Sequence, residues 1–306
     1  MPEEFSELAR RVNNWGRWGD DDERGTLNLI TDEVVRRGTA CVKTGKRFEL
    51  GLPLGPNGLQ AGMIPGRINP QHLMIAIHTP ATGDSEGLCN NDDVYYLPTQ
   101  AATHWDSLVH VSYGGRMWNG FAAETIDVTG ARRAGIDKTG PIVSRGVLLD
   151  VAHTKGVERL EPGYPITAAD LDAAEDQAGT RVQSGDIVLV RTGHLQVFRA
   201  GDRVAYAIPS PGLSLDTVPW LRERDVAAVA TDTLALEVVP SEREDAFLPV
   251  HLLHLVEMGL LQGQNWDLEE LATDCQQDGV YEFLFSATPD RFSRGLGSPV
   301  NPVAVK

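Results

Sequence analysis

The segment 100–110 reads QAATHWDSLVH and carries two histidines and an aspartate. In an extended chain, residues two apart share a face, so His104 and Asp106 would point to the same side of a strand. An imidazole and a carboxylate together are ligands that suit Zn²⁺ or Mn²⁺. His110 follows four residues later and could act as a base. On spacing alone, the favoured interpretation is a surface His–Asp hydrogen bond beside an unrelated histidine.

Length and charge restrict the kinds of protein that this chain can be. Its 306 residues permit one large domain or two ordinary ones, and 42% hydrophobic with 23% charged residues is typical of a globular protein. Acidic residues outnumber basic ones by 43 to 27, which gives a net charge of −16. A field of that sign repels phosphate backbones, so nucleic acid is not an expected partner.

The cysteines and the start of the chain bear on its location. Cys41, Cys89 and Cys275 are sparse and form no CxxC pair, which favours a reducing compartment and argues against a cysteine-rich zinc site. Residues 1–5 lack the basic and apolar pattern of a secretory signal. The longest nearly uncharged stretch, 47–67, is broken by glycines and prolines, so no membrane span is expected. We therefore expect a cytoplasmic protein.

Hydrophobic periodicity predicts a mixed α/β architecture. Alternating or short apolar runs predict strands at 47–50, 74–78, 146–151, 187–190, 226–230 and 283–285. Thr167 resembles the N-cap of a helix that continues to residue 178. Strands alternate with helices only in the second half, which predicts a mixed sheet with flanking helices. The polar residues 1–44 predict an N-terminal extension or arm, and residues 45–306 predict a single catalytic domain.

The segment 100–110 resembles the signature HxGTHxDxxxH of the metal-dependent cyclase family, which includes bacterial kynurenine formamidases and isatin hydrolases. Thr103, His104, Asp106 and His110 fall on the signature. Weaker similarities follow in family order at 18–21, 25–28, 185–193, 211–214, 232–233 and 249–251. The resemblance covers most of the chain from about residue 15 to 271. It implies a swivelling β/β/α-type fold and a homodimer or homotetramer.

The resemblance also assigns roles to four residues. In that family, signature residues and a downstream histidine and glutamate hold metal, and the last signature histidine transfers protons. His104 and Asp106 match signature ligands, and His251 matches the downstream histidine. His110 matches the proton-transfer residue and is the expected catalytic residue.

Two positions depart from the family pattern. The first signature histidine is Gln100 here, and the downstream glutamate is Gln264. An amide oxygen brings no charge and binds zinc weakly. The resemblance therefore implies one divalent metal, Zn or Mn, held by the three matched ligands, with the two glutamines as weak ligands at most. A metal-free site and a dinuclear site are the alternatives.

Further residues could line a pocket around this site. His72 lies just before a predicted strand, where a structural role is equally well supported. Tyr113, Trp105 and Trp118 could form an aromatic wall, although aromatic side chains belong as often to a core as to a pocket.

The function that the resemblance implies is metal-dependent hydrolysis. The bond would be an amide, a cyclic or acyl C–N bond or a lactone in a small aromatic or cyclic molecule, with His110 as general acid and base. Gln100 and Gln264 leave two alternatives open. One is a cyclase, isomerase or dehydratase on the same fold, and the other is a small-molecule binding protein with a decayed site.

Overall fold

The computed structural model describes residues 3–243 and 245–306, and at its centre lies a nine-stranded mixed sheet. The strands are β1 (Arg47–Glu49), β2 (Gln71–Pro80), β3 (Cys89–Tyr96), β4 (His104–Asp106), β5 (Ile126–Asp127), β6 (Gly130–Ala131), β7 (Val143–Asp150), β8 (Pro165–Ile166), β9 (Ile187–Arg191), β10 (Gly212–Leu213), β11 (Ala228–Thr231), β12 (Leu261–Gln264), β13 (Glu282–Ser286), β14 (Gly297–Pro299) and β15 (Val303–Val305). The order across the large sheet is β1-β15-β13-β7-β9-β11-β12-β4-β14. Neighbours from β7 to β12 run parallel, and the other pairs are antiparallel.

Helices flank this sheet. They are α1 (Glu3–Val12), α2 (Asp32–Thr39), α3 (Val151–Thr154), α4 (Ala168–Ala178), α5 (Leu195–Arg199), α6 (Arg203–Ala207), α7 (Thr217–Glu223), α8 (Pro249–His251) and α9 (Glu269–Asp278). Short 3₁₀ turns occupy Gly25–Leu29, Trp118–Gly120, Ala123–Thr125 and Ile136–Lys138. A π-helical segment, Leu252–Met258, directly continues α8. In the part of the chain that the structure describes, no helix has the length and apolar content to cross a bilayer.

The parallel strand β9 is apolar from Ile187 to Val190 because both faces of the sheet are covered there. Along β9, Ile187 and Leu189 join one hydrophobic cluster, while Val188 and Val190 join the cluster on the opposite face. Side chains alternate between faces along a strand, so a continuous apolar run is what burial on both sides requires. The predicted mixed sheet with flanking helices is confirmed.

The predicted strands and the predicted helix cap are present. Strand β2 includes 74–78, and β7, β9, β11 and β13 overlap the other predicted runs. The Thr167 hydroxyl accepts a hydrogen bond from the Asp170 N–H, and the Asp170 carboxylate accepts one from the Thr167 N–H. This reciprocal pair satisfies two N–H groups at the start of α4 that otherwise lack partners.

The described part of the N-terminal segment packs onto the sheet and its helices. Phe5, Ala9 and Val12 of α1 are buried in the core on one sheet face. The Trp15 indole donates a hydrogen bond to the Val256 carbonyl. The boundary at residue 44 stays a prediction.

Candidate active site

Strand pairing places three polar side chains on one face of the sheet. In the antiparallel β4–β12 pair, His104 lies opposite Gln264, and Asp106 lies opposite Gln262. Positions that alternate along paired strands share a face, so His104, Asp106 and Gln264 project to the same side. His104 and Asp106 therefore share one face of a strand, as their spacing in the sequence predicts.

The opposite face of these strands is packed against aromatic rings. Trp105 and Trp266 meet edge to face with ring centroids 4.8 Å apart, and the Trp105 indole donates to the Ala287 carbonyl. A Cβ on Gly263 would lie 2.6 Å from Trp266 Nε1 and 2.9 Å from a Trp105 ring carbon. Only glycine fits there, and the two rings hold the strands that present the polar side chains.

His251 reaches the same site from the helical side. It ends α8, and its Nδ1 forms a short hydrogen bond with a Glu237 carboxylate oxygen. The same carboxylate accepts hydrogen bonds from the Val250 and His251 N–H groups, at 3.1 and 2.8 Å. Glu237 is buried and fixes both the ring and the start of the helix.

The hydrogen bonds of His104 and His251 determine which nitrogen of each ring carries the proton and which one is free. His104 Nδ1 lies 2.7 Å from the Ala102 carbonyl, which can only accept, so Nδ1 carries the proton and Nε2 keeps its lone pair. In His251 the bond to Glu237 likewise leaves Nε2 as the free nitrogen. A histidine held in this way by a carbonyl or carboxylate is the usual arrangement of a metal ligand.

Two oxygens at the site are buried without a hydrogen-bond donor. They are Asp106 Oδ1 and Gln264 Oε1, whereas the Gln264 amide nitrogen donates to Asp106 Oδ2 at 2.9 Å. His104 Nε2 lies 3.5 Å from Asp106 Oδ1, so two acceptors face each other. Buried polar atoms are almost always satisfied, and a shared cation would satisfy these.

The Asp106 carboxyl is ionised in this environment. Burial alone would raise the pKa of Asp106, whereas positive charge on His110 and His104, when these rings are protonated, lowers it well below its usual range. A buried carboxylate of this kind needs positive charge nearby.

His110 lies in the loop after β4, above Asp106. Its N–H donates to the Ser107 carbonyl, which closes the turn that brings the ring back over the strand. Its Nε2 lies 3.7 Å from Asp106 Oδ1 and 3.4 Å from an Arg67 nitrogen. Burial lowers the pKa of His110 from its ordinary value, with Asp106 opposing the shift. A neutral imidazole at neutral pH can accept a proton.

These side chains form the polar end of an apolar cavity of about 360 Å³. The rest of its wall is largely apolar and includes Met63, Ile64, Val111, Ile208, Leu234, Phe247 and Leu248. Apolar walls with a few convergent polar groups are typical of small-molecule sites.

Strained backbone surrounds the site. Leu236, Leu248 and Asn265 have φ angles of 60°, 53° and 63°. Leu236 directly precedes Glu237, Leu248 directly precedes α8, and Asn265 directly follows Gln264. Bulky residues rarely adopt such angles, and residues held in them cluster at functional sites.

The Cyclase family model matches residues 48–238, which is more than half of the chain. This chain belongs to the cyclase family. The crystal structure of a novel cyclase is 39% identical, with a TM-score of 0.88, over 96% of this chain and 99% of that chain. No protein with a curated description matches.

Two more distant structures share the cyclase-family fold. Isatin hydrolase A from Labrenzia aggregata is 18% identical with a TM-score of 0.64, over 87% of this chain and 94% of that one. A predicted metal-dependent hydrolase from Bacillus stearothermophilus is 15% identical with a TM-score of 0.53, over 86% and 98%. The family resemblance of the sequence is therefore confirmed.

The cyclase fold brings five of the sequence-predicted site residues together, namely His104, Asp106, His110, His251 and Gln264. Gln100 differs from the expectation because it does not line the cavity. Its amide lies behind His110, 3.4 Å from Nδ1, and donates to the Leu296 carbonyl at 3.2 Å. Gln100 and Gln264 thus do not face one common space.

The other expected pocket residues lie elsewhere. His72 is on the exposed β2–β3 hairpin, where it pairs with Asp93 at 2.7 Å. Tyr113 donates to Glu257 and packs on α1. Trp105 and Trp118 are fully buried in the core, so no aromatic wall of this kind forms. Strand alternation turns Trp105 to the face opposite His104 and Asp106, whereas no local rule places Trp118.

Two site residues escaped the sequence reasoning. Glu237 is a lone carboxylate inside the apolar run 234–239, a pattern that could have marked it as a buried partner. Arg67 ends the glycine- and proline-rich stretch 47–67, and no sequence spacing links it to His110.

Proposed function

We propose that this cyclase-family chain is a metal-dependent hydrolase of an amide, a cyclic or acyl C–N bond or a lactone in a small apolar molecule. The observation that carries the proposal is the set of unpaired acceptors, His104 Nε2, Asp106 Oδ1 and Gln264 Oε1, beside His110 in an apolar cavity. The relatives described as isatin hydrolase and as metal-dependent hydrolase support the same reaction class.

The residues present fit a divalent cation in their chemistry. His104, Asp106 and His251 would hold it, with the Gln264 oxygen as a weak fourth donor, and this set suits Zn or Mn. Among residues 3–243 and 245–306, no three His, Cys, Asp or Glu side chains enclose a metal position as they stand. His104, Asp106 and His251 would therefore have to shift to share one ion, and the Gln264 oxygen, water or substrate would complete its coordination.

A divalent metal, when bound, would polarise the substrate carbonyl and lower the pKa of a water molecule bound to it. His110 takes a proton from the attacking water as the new C–O bond forms. It then gives a proton to the leaving nitrogen or oxygen as the C–N or C–O bond breaks. Asp106 stays ionised and offsets positive charge, and Glu237 holds the His251 ring in place.

A second candidate is cyclisation, isomerisation or dehydration on the same site, with His110 moving a proton and no water attacking. Gln264 stands where the family resemblance places a glutamate, and this departure from the family pattern is the observation behind the second candidate. Product mass separates the two candidates, since only hydrolysis adds the mass of one water.

The test combines metal analysis with a substrate panel. Purified protein is analysed for Zn and Mn, and isatin and N-formyl aromatic amines are assayed by mass spectrometry. We expect bound metal, a gain of one water, and loss of both in Asp106→Asn. His72→Ala is the matched control and should keep both. Hydrolysis that persists in metal-free protein, or full metal content in Asp106→Asn, would refute the proposal.

A further inference from the structure

Arg67 is a partly buried cation in the cavity wall without a carboxylate partner. Its N–H closes a turn onto the Ile64 carbonyl, and its guanidinium lies 3.4 Å from His110 Nε2. In the described part of the chain, no Asp or Glu forms an ion pair with it, and burial lowers its pKa. A guanidinium stays charged in proteins, and the carboxylate of Asp106 acts on it only from beyond ion-pair distance, so no acidic group is bonded to this charge.

The other well-buried arginines show how unusual this is. Arg145 pairs with Asp186 and Glu282, and Arg191 pairs with Asp150 and Glu269. Buried charges in proteins are usually paired because removing a lone charge from water is unfavourable. None of the acidic residues that the structure describes lies within ion-pair distance of Arg67, although Asp106 acts on it from farther away. The missing partner is therefore expected to come from a ligand.

We propose that Arg67 binds an anionic group of the substrate, so that the cavity accepts small apolar molecules that carry a carboxylate or a similar planar anion. A guanidinium binds such groups through two parallel hydrogen bonds. The largely apolar walls take up the remainder of the molecule. The inference rests on the proposed function and names its substrate class.

The position of Arg67 also restricts where the anion lies in the substrate. Because the guanidinium is next to His110, the anionic group is held close to the residue that moves the proton. The bond that reacts is then expected within a few bonds of the anion. A neutral analogue of the same shape should bind weakly because it leaves Arg67 desolvated and unpaired.

The test measures binding without turnover. Calorimetry compares 2-naphthoate with its neutral isostere 2-naphthamide, using wild-type protein as purified and after chelator treatment. We expect a preference for naphthoate of at least about tenfold, as for hydrogen bonds to charged groups. Arg67→Gln should remove the preference, and Arg67→Lys should keep part of it. Arg36→Gln removes an exposed arginine and should change nothing.

The result that would overturn the inference is equal binding of both ligands by wild-type protein, or an unchanged preference in Arg67→Gln. A preference that disappears with the metal would also overturn it, since the metal would then be the anion receptor. Failure of the proposed hydrolase function would give a different result from failure of the Arg67 inference. In that case naphthoate still binds through Arg67, but the protein converts no substrate.

Discussion

Two regions of the molecule hold buried charged groups: the carboxyl ends of β7 and β9, and the face of β4 that carries His104 and Asp106. Only in the first region do hydrogen-bonded ion pairs join arginine to carboxylates. Arg191, at the end of β9, bonds to Asp150 at 2.9 Å and to both oxygens of Glu269. At β4, Asp106 Oδ1 has no donor, and His104 Nε2, which lies 3.5 Å away, presents a lone pair to it. Paired charge holds the sheet together, whereas unpaired charge marks the place where a ligand binds.

The comparison also explains where the cavity lies. In open α/β sheets, ligands bind beyond the carboxyl ends of parallel strands. Here Asp150, Arg191 and Glu269 close the ends of β7 and β9 with ion pairs. The cavity forms instead around the neighbouring β12–β4 pair, where the strand direction reverses and two strands present polar side chains to one side.

The largest effect should come from breaking the paired region. Arg191→Leu leaves Asp150 and Glu269 buried without a counterion, and removal of one partner of a buried pair costs about 3–5 kcal/mol. Urea unfolding measures the loss. His104→Ala should cost less than half as much, because it removes a neutral hydrogen bond to the Ala102 carbonyl and no ion pair. Equal losses in the two variants would remove the distinction between the regions.

The next effect concerns catalysis rather than stability. His110→Ala should lower kcat by about 10²–10⁴-fold, the usual contribution of general acid–base catalysis. Its unfolding free energy and metal content should match wild type. A loss below about fivefold in the chemical step would assign proton transfer to another group.

Packing beneath the site sets the third effect. Gly263→Ala drives a methyl group into Trp266 and Trp105, and overpacking of this kind costs about 1–3 kcal/mol. Metal binding should weaken as well, because β12 and β4 shift together. Gly55→Ala, where an added Cβ meets open space, is the matched control. Unchanged thermal stability in Gly263→Ala would show that the rings can move aside.

The smallest effect is expected at Glu237. Glu237→Gln weakens the bond that orients His251, and loss of such a partner lowers metal affinity by about 10–100-fold. Metal titration of the variant measures the change, with the exposed Glu49→Gln as control. Wild-type affinity in Glu237→Gln would mean that His251 does not hold the metal.

Much of this arrangement could be predicted from sequence because it depends on local rules. Strand periodicity places His104 and Asp106 on one face, and the apolar runs predict the parallel strands. The pairing of β4 with β12 could not be derived that way, since it joins segments about 160 residues apart. Gln264 was placed only through the family resemblance, and Arg67 was not found. Long-range packing likewise decided that Gln100 lies behind His110.

The most direct test of the central claim is the thermal stability of Gln264→Glu with and without zinc. Gln264 donates to Asp106, so a carboxylate there brings two buried like charges together without metal. We predict a lower Tm than wild type in chelator and a larger zinc-induced rise in Tm, because the added charge tightens binding. An unchanged Tm in chelator together with no response to zinc in either protein would contradict the claim that these unpaired acceptors bind a cation.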